Sequence, residues 1–279
     1  MLALIVAILC TTSFSLIIRH TQRLGYDQFA VMGINYLIAC AMGIALTGGH
    51  GHSSPPTLHL GLLGGVAFVV TYILMIHSFD LKGVAIANAI TRLSVLIPVL
   101  ATIVVWHERP QIMEGVGALL ALGAMPLLTL DRDGHGKGLT RKQVPLLLGL
   151  FIGNGMCLLM SKWFHETGLS GERPLFFAIL FGTATAVSVV CWLIWSRRSG
   201  WREWAWGVPL GAINFLTALA VITALDTLSG SVVFPLFAAM SLALTTGVGA
   251  WLWREIPGKL GKIGIAVALV AVVLINLKV

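Results

Sequence analysis

Long apolar runs alternate with short polar breaks from one end of the chain to the other. A helix rises about 1.5 Å per residue, so about 20 mostly apolar residues cross ~30 Å of hydrocarbon. Windows bounded by charge, proline or glycine clusters predict helices near residues 1–18, 29–47, 58–80, 84–106 and 111–130. A polar link from Asp131 to Gln143 precedes five more, near 144–161, 174–196, 204–226, 230–253 and 259–277. The predicted fold class is an all-α polytopic membrane protein of ten transmembrane helices. The charges of the first run, Arg19 and Arg23, follow it, and it lacks a small-residue cleavage site. It is therefore expected to remain as helix 1 rather than act as a signal peptide.

The two halves repeat. A constant shift of 147 positions brings Gly83 onto Gly230, Ser94 onto Ser241, Trp106 onto Trp253, Glu108 onto Glu255, Pro110 onto Pro257 and Gly117 onto Gly264, without a gap. The shared phrase is a glycine, a long apolar helix, Trp-x-Glu-x-Pro (WHERP and WREIP) and a last apolar helix. The expected organisation is a five-helix repeat over 1–130, a linker over 131–143 and a second repeat over 144–279. Five spans are an odd number, so the second repeat enters from the opposite side. Inverted repeats of this kind place a substrate site between the halves near the midplane.

Composition closes off other classes. The chain is 57% hydrophobic and 10% charged, with mean hydropathy +0.93, where soluble domains carry roughly 25% charged residues. The net charge of +7 would raise nucleic acid as a partner, but the basic residues sit between apolar runs rather than on one face. Loops 1-2, 3-4, 5-6, 7-8 and 9-10 hold most of them. The other side has Arg109, Lys162, Arg173 and Lys278. The positive-inside rule then makes the first set cytoplasmic, in a multi-pass cell (inner or plasma) membrane protein with both termini outward. The tryptophans fall at helix ends or in short loops, as interfacial anchors do; an aromatic cage for a cation is the alternative. Cys10, Cys40, Cys157 and Cys191 lie inside apolar runs and read as small buried hydrophobes.

No GxSxG, HExxH, P-loop or strand-linked GxGxxG is present, so neither an enzyme nor a cofactor is expected. His50, His52 and His59 lack acidic or cysteine companions, and no metal site is expected there. Arg92 is the sharpest signal. It lies well inside helix 4, where a charge costs ~2.5–3.5 kcal/mol. Asn88 is four residues earlier and on the same face, so the two could present a fork and an amide to a carboxylate or phosphate. The competing reading pairs Arg92 with helix-end carbonyls or with a carboxylate such as Asp226. Every acidic residue falls in a loop or near a helix end, whereas a proton/cation antiporter needs a carboxylate at depth. Neutral, zwitterionic or anionic substrates are favoured.

Glu108 and Glu255 end symmetry-related helices and read as surface anchors, with a gating bridge to Arg109 or Arg254 as the alternative. Pro98 and Pro235 free backbone carbonyls inside helices and mark a hinge or site wall. Asn35, Tyr36, Tyr72, Asn154, Asn214 and Thr217 are further polar groups at depth, and either line a cavity or bond across helices. Gly61 with Gly65 and Gly149 with Gly153 allow close helix approach, within the bundle or in a dimer.

These features resemble the ten-helix, EamA-type members of the drug/metabolite transporter superfamily. The likeness spans essentially the whole chain and is most specific at Gly83 to Pro110, followed by Gly115 and Gly117, and at Gly230 to Pro257, followed by Gly261 and Gly264. It implies transport of amino acids, sugars, nucleotide-related compounds or other small metabolites by alternating access. It also implies cytoplasmic termini, against the charge bias, and a Trp-Gly in helix 1 where Thr11, Thr12, Ser13 and Ser15 stand instead.

The expectation is a secondary transporter of small organic metabolites (amino-acid-like, zwitterionic, anionic or neutral) acting as an exporter. Its partners are the lipid bilayer, a small-molecule substrate and, in a coupled mechanism, a proton or ion; nucleic acid is not expected. A monomer and a homodimer are both compatible with the sequence. The alternatives are an inorganic-cation or multidrug-cation carrier, and a non-transporting scaffold or membrane-embedded enzyme.

Overall fold

The computed structural model describes residues 1–48, 53–82, 90–109, 111–130, 144–195, 200–253 and 259–276. The polar link, Asn88, the pair His50 and His52, and Arg254 with Glu255 lie outside the described residues. The described residues form ten α-helices: α1 (Leu2–Arg23), α2 (Gln28–Leu46), α3 (Pro55–Lys82), α4 (Leu96–Val104), α5 (Ile112–Leu130), α6 (Val144–Glu166), α7 (Arg173–Trp195), α8 (Trp201–Leu225), α9 (Gly230–Trp253) and α10 (Lys259–Asn276). A helical stretch at 90–93 leads towards α4 and is interrupted at Ser94 and Val95. The apolar span expected as one helix over 84–106 is therefore broken within the described residues.

Six helices are long and apolar enough to cross a membrane, and shorter apolar stretches (Ile90–Val104, Gly115–Ala124, Gly230–Thr245 and Lys262–Ala271) fall on the other four. The protein is an all-α, polytopic membrane protein. In hydrocarbon every backbone polar group must be satisfied within the protein, which leaves helices as the natural element. Local signals trim their ends. α1 runs on to Arg23, with His20 and Arg23 in its last turn, where a cation meets the negative end of the helix. Asp27 starts α2 by accepting from the amides of Phe29 and Ala30, at 2.9 and 3.2 Å.

Most of the helix packing is matched between the halves, although α5 also lies on α9. α3 lies on α6 and α7, and α8 lies on α1 and α2; α1 meets α9, and α4 meets α6; α2–α7, α4–α9 and α5–α10 pack together. Exchanging the first five helices for the last five turns the first six of these contacts into one another in pairs and leaves α2–α7, α4–α9 and α5–α10 unchanged.

Two apolar cores result. One joins α1, α4, α5, α8, α9 and α10, with Phe234 and the alanines Ala121, Ala124, Ala268 and Ala271 fully buried. The other is an aromatic stack from α2, α3, α6, α7 and α8, in which Phe164 lies on Phe176 with ring centroids 4.2 Å apart. The paired glycines work inside this bundle. A Cβ on Gly65 would stand 2.4 Å from the Leu180 carbonyl oxygen of α7, and one on Gly153 2.6 Å from Thr71 Oγ1 of α3.

Candidate functional site

The break in the fourth helix follows from Pro98. Without an N–H it cannot donate to the Ser94 carbonyl. That oxygen instead accepts from Ile97 N at 3.0 Å, and Val95 N turns to Arg92 O at 3.3 Å. These tighter bonds leave Thr91 O without its usual amide donor. Two side chains take it up: Ser94 Oγ donates to it at 2.6 Å and Asn154 Nδ2, from α6, at 2.9 Å. Asn154 Nδ2 also donates to Ser94 Oγ, at 2.6 Å. Pro98 itself is buried in the first turn of α4, where its missing donor costs nothing.

Ser241, the sequence counterpart of Ser94, sits midway along α9. Its hydroxyl donates to Ala238 O at 3.1 Å, three residues back, as Ser94 does to Thr91. α9 stays continuous here because Thr245 stands where the first half has Pro98, and Thr245 Oγ1 donates to Ser241 O at 2.6 Å. With its proton committed, Ser241 Oγ is an acceptor, and Arg92 Nη1 donates to it at 3.0 Å. Arg92 and Asn154 have no polar counterparts: the shift places Ala239 and Ala7 there. The cluster is thus a symmetric pair of serines held by two residues peculiar to one half each.

Arg92 has five N–H donors in a planar fork. The described carboxylates are engaged elsewhere. Asp27 caps α2, Glu203 accepts from Gly200 N, Glu172 accepts from Ser54, and Glu108 and Glu166 both take Lys162. Asp226, offered by the sequence as a partner for Arg92, instead pairs with Arg173 and with His165. Among the described residues no carboxylate neutralises Arg92, so the charge is held at depth by a hydroxyl.

The other polar candidates are not brought to this point. Asn35 is fully buried against α8, where a Cβ on Gly211 would stand 2.5 Å from its carbonyl oxygen. Its amide nitrogen contacts Met32 Sδ at 3.8 Å, and its Oδ1 has no described partner. Tyr36 stacks on Phe181 and Tyr72 donates to Gln28 O at 3.3 Å, both within the aromatic core. Thr217 donates to Ile213 O of its own helix at 2.8 Å, and Asn214 is half-buried on α8. Pro235 is buried near the start of α9.

A second polar cluster lies at the helix ends on one face. Lys162, only 2% exposed on α6, donates to Glu108 at 2.6 Å and to Glu166, and lies over the Trp106 ring. Glu108 also accepts from the amides of Gly230 and Ser231 at the start of α9, at 3.2 and 3.0 Å. Burial pushes its carboxyl up, but Lys162 and the two amides outweigh that and hold it below its ordinary range. Glu108 is therefore not a surface anchor, and its cation among the described residues is Lys162 rather than Arg109. Beside it, Arg173 Nη1 donates to Asp226 at 2.7 Å, and this pairing holds the Asp226 carboxyl low. The sequence signal for Lys162 was its i, i+4 spacing from Glu166.

Comparison with known proteins adds three findings. The model of the EamA-like transporter family matches residues 1–130. A Haemophilus influenzae protein described only as uncharacterized is 27% identical over 287 residues, with 96% of this chain and 95% of that one covered. A protein of known crystal structure aligns with TM-score 0.78 and 21% identity over 99% of this chain and 96% of its own, which speaks to the fold. Residues 1–130 are thus similar to the EamA-like transporter family, on a chain whose described residues form a ten-helix membrane fold.

Proposed function

We propose that the protein is a secondary transporter for small organic metabolites that carry an anionic group, zwitterions included, and that Arg92 receives that group. The observation that carries this reading is a guanidinium at mid-depth, beside a helix break, held by Ser241 and unmatched by any described carboxylate. A lone charge at that depth is costly, and a substrate carboxylate or phosphate supplies both counter-charge and a bidentate acceptor. The absence of a described carboxylate beside it also supports an anionic or zwitterionic substrate over a cation.

Alternating access follows from where the contacts run. Arg92 belongs to the repeat 1–130, while Ser241 and Asn154 belong to 144–279, so the cluster bridges the two units that would rock. Substrate binding exchanges the Ser241 acceptor for an anion, and loosens one inter-repeat bond as it does so. The positively charged loops orient the carrier in a cell membrane with those loops in the cytoplasm.

Counterflow in proteoliposomes with anionic, zwitterionic, neutral and cationic metabolites tests the assignment. An anionic or zwitterionic compound should exchange, and Arg92→Ala should reduce exchange to background while the purified protein keeps its size-exclusion profile. Exchange that survives the substitution, or that is confined to cations, overturns it.

A further inference from the structure

We infer that the junction of Glu108, Lys162 and the start of α9 is a bolt that holds one face of the transporter shut, and that the duplicated half cannot reproduce it. The inference uses the alternating-access reading but not the identity of the substrate. Glu108 belongs to the loop after α4, in the first half; Lys162 and the amides of Gly230 and Ser231 belong to the second half. One carboxylate therefore ties three chain segments across the division between halves.

Three features make it a device rather than a chance ion pair. Lys162 is buried, so opening this face leaves an ammonium that must find other partners, whereas an exposed pair would separate at little cost. His107, just before Glu108, adopts φ +52°, a left-handed conformation uncommon outside glycine; it turns the chain so that Glu108 reaches α9. Gly230 admits the close approach: a Cβ there would stand 2.6 Å from Thr102 Cγ2 and 3.3 Å from Lys162 Cε. A second tie runs across the same division, with Glu172 accepting from Ser54 N at 3.0 Å and Ser54 Oγ at 2.8 Å.

The bolt is one-sided. The glutamate and the glycine recur as Glu255 and Gly83, but the counterpart of Lys162 is Ser15, whose hydroxyl donates to Thr11 O of its own helix at 2.9 Å. At the position equivalent to Lys162 the second junction therefore offers a hydroxyl rather than a cation, and the resting population favours the state in which the Glu108 face is closed.

Thiol labelling in phosphatidylcholine nanodiscs tests this without any substrate. Thr102, fully buried beneath the bolt, is replaced by cysteine; Cys10, Cys40 and Cys191 are replaced by alanine, and buried Cys157 stays as an internal control. A soluble maleimide should react slowly with Thr102→Cys in this background. Adding Lys162→Met should accelerate that reaction by about tenfold or more with Cys157 still protected, the change expected from shifting a two-state equilibrium. Glu108→Gln, which keeps the shape and removes the charge, should do the same and serves if Lys162→Met does not fold. Unchanged labelling in a folded variant overturns the bolt, as does equal exposure of Cys157, which would mean general loosening. Failure here leaves the Arg92 assignment standing, and failure of counterflow leaves the bolt standing.

Discussion

Arg92, Asn154 and Ser94 show how polar residues are accommodated between packed helices. Thr91 O, freed by the break, accepts from both Ser94 and Asn154, so the break is repaired by side chains rather than left open. Interhelical bonds of this kind contribute about 0.6 kcal/mol on average and up to ~1.7 kcal/mol. Asn154→Ala should therefore lower the thermal midpoint modestly, measured by a thermal-shift assay in detergent, and should impair transport more than its stability loss explains. His107 poses the converse case. At φ +52° a β-branched side chain is strongly disfavoured, so His107→Val should destabilise whereas His107→Gly should be tolerated; equal midpoints for the two would show that the turn relaxes.

At the scale of elements, helix contacts are set by small residues, because lipid gives apolar side chains little reason to leave it and packing must supply the attraction. Gly65 lets α3 reach the α7 backbone, and Gly65→Val should cost about 1–3 kcal/mol through overpacking. Gly123, in α5, has nothing within 4 Å of a built Cβ, so Gly123→Ala should be neutral or stabilising by up to ~1 kcal/mol through helix propensity alone. Thermal midpoints of the pair, measured in one detergent, separate packing from propensity. A Gly65→Val protein as stable as wild type would mean that α3 and α7 can part without loss.

At the scale of the whole molecule, the paired carboxylates Glu108 and Asp226 lie at helix ends among the described residues, and their titration sets a pH window. The Glu108 and Asp226 carboxyls are held below their ordinary values by their cationic and amide partners. Their contribution is complete above the ordinary carboxylate values and is lost as pH falls through the lowered ones. From these groups stability should be flat between about pH 5 and 8 and fall below about pH 4. Asp226 is 35% exposed at its side chain, so solvent screens its share and Glu108 should dominate. Glu108→Gln should flatten the acid limb of midpoint against pH; an unaltered limb would assign it to other groups.

Much of the architecture was legible before any coordinates. Hydropathy is a local sum, so the ten apolar spans, the mid-helix position of Arg92 and the matching phrases WHERP and WREIP could be read directly from the chain. What Arg92 bonds to could not, since Ser241 is 149 positions away and the sequence offered Asp226 equally well. Pro98 announced freed carbonyls, but whether they yield a kink or a break depended on Asn154, a donor 63 positions on from Thr91. Lys162 was counted with the loops until packing buried it beside Glu108, 54 positions earlier. The sequence by itself determined that the chain must span a bilayer as helices, because hydrocarbon leaves the backbone no other way to satisfy its polar groups. Only the tertiary structure decided which polar groups meet, because each partner is chosen by the geometry of helices that pack far apart in sequence.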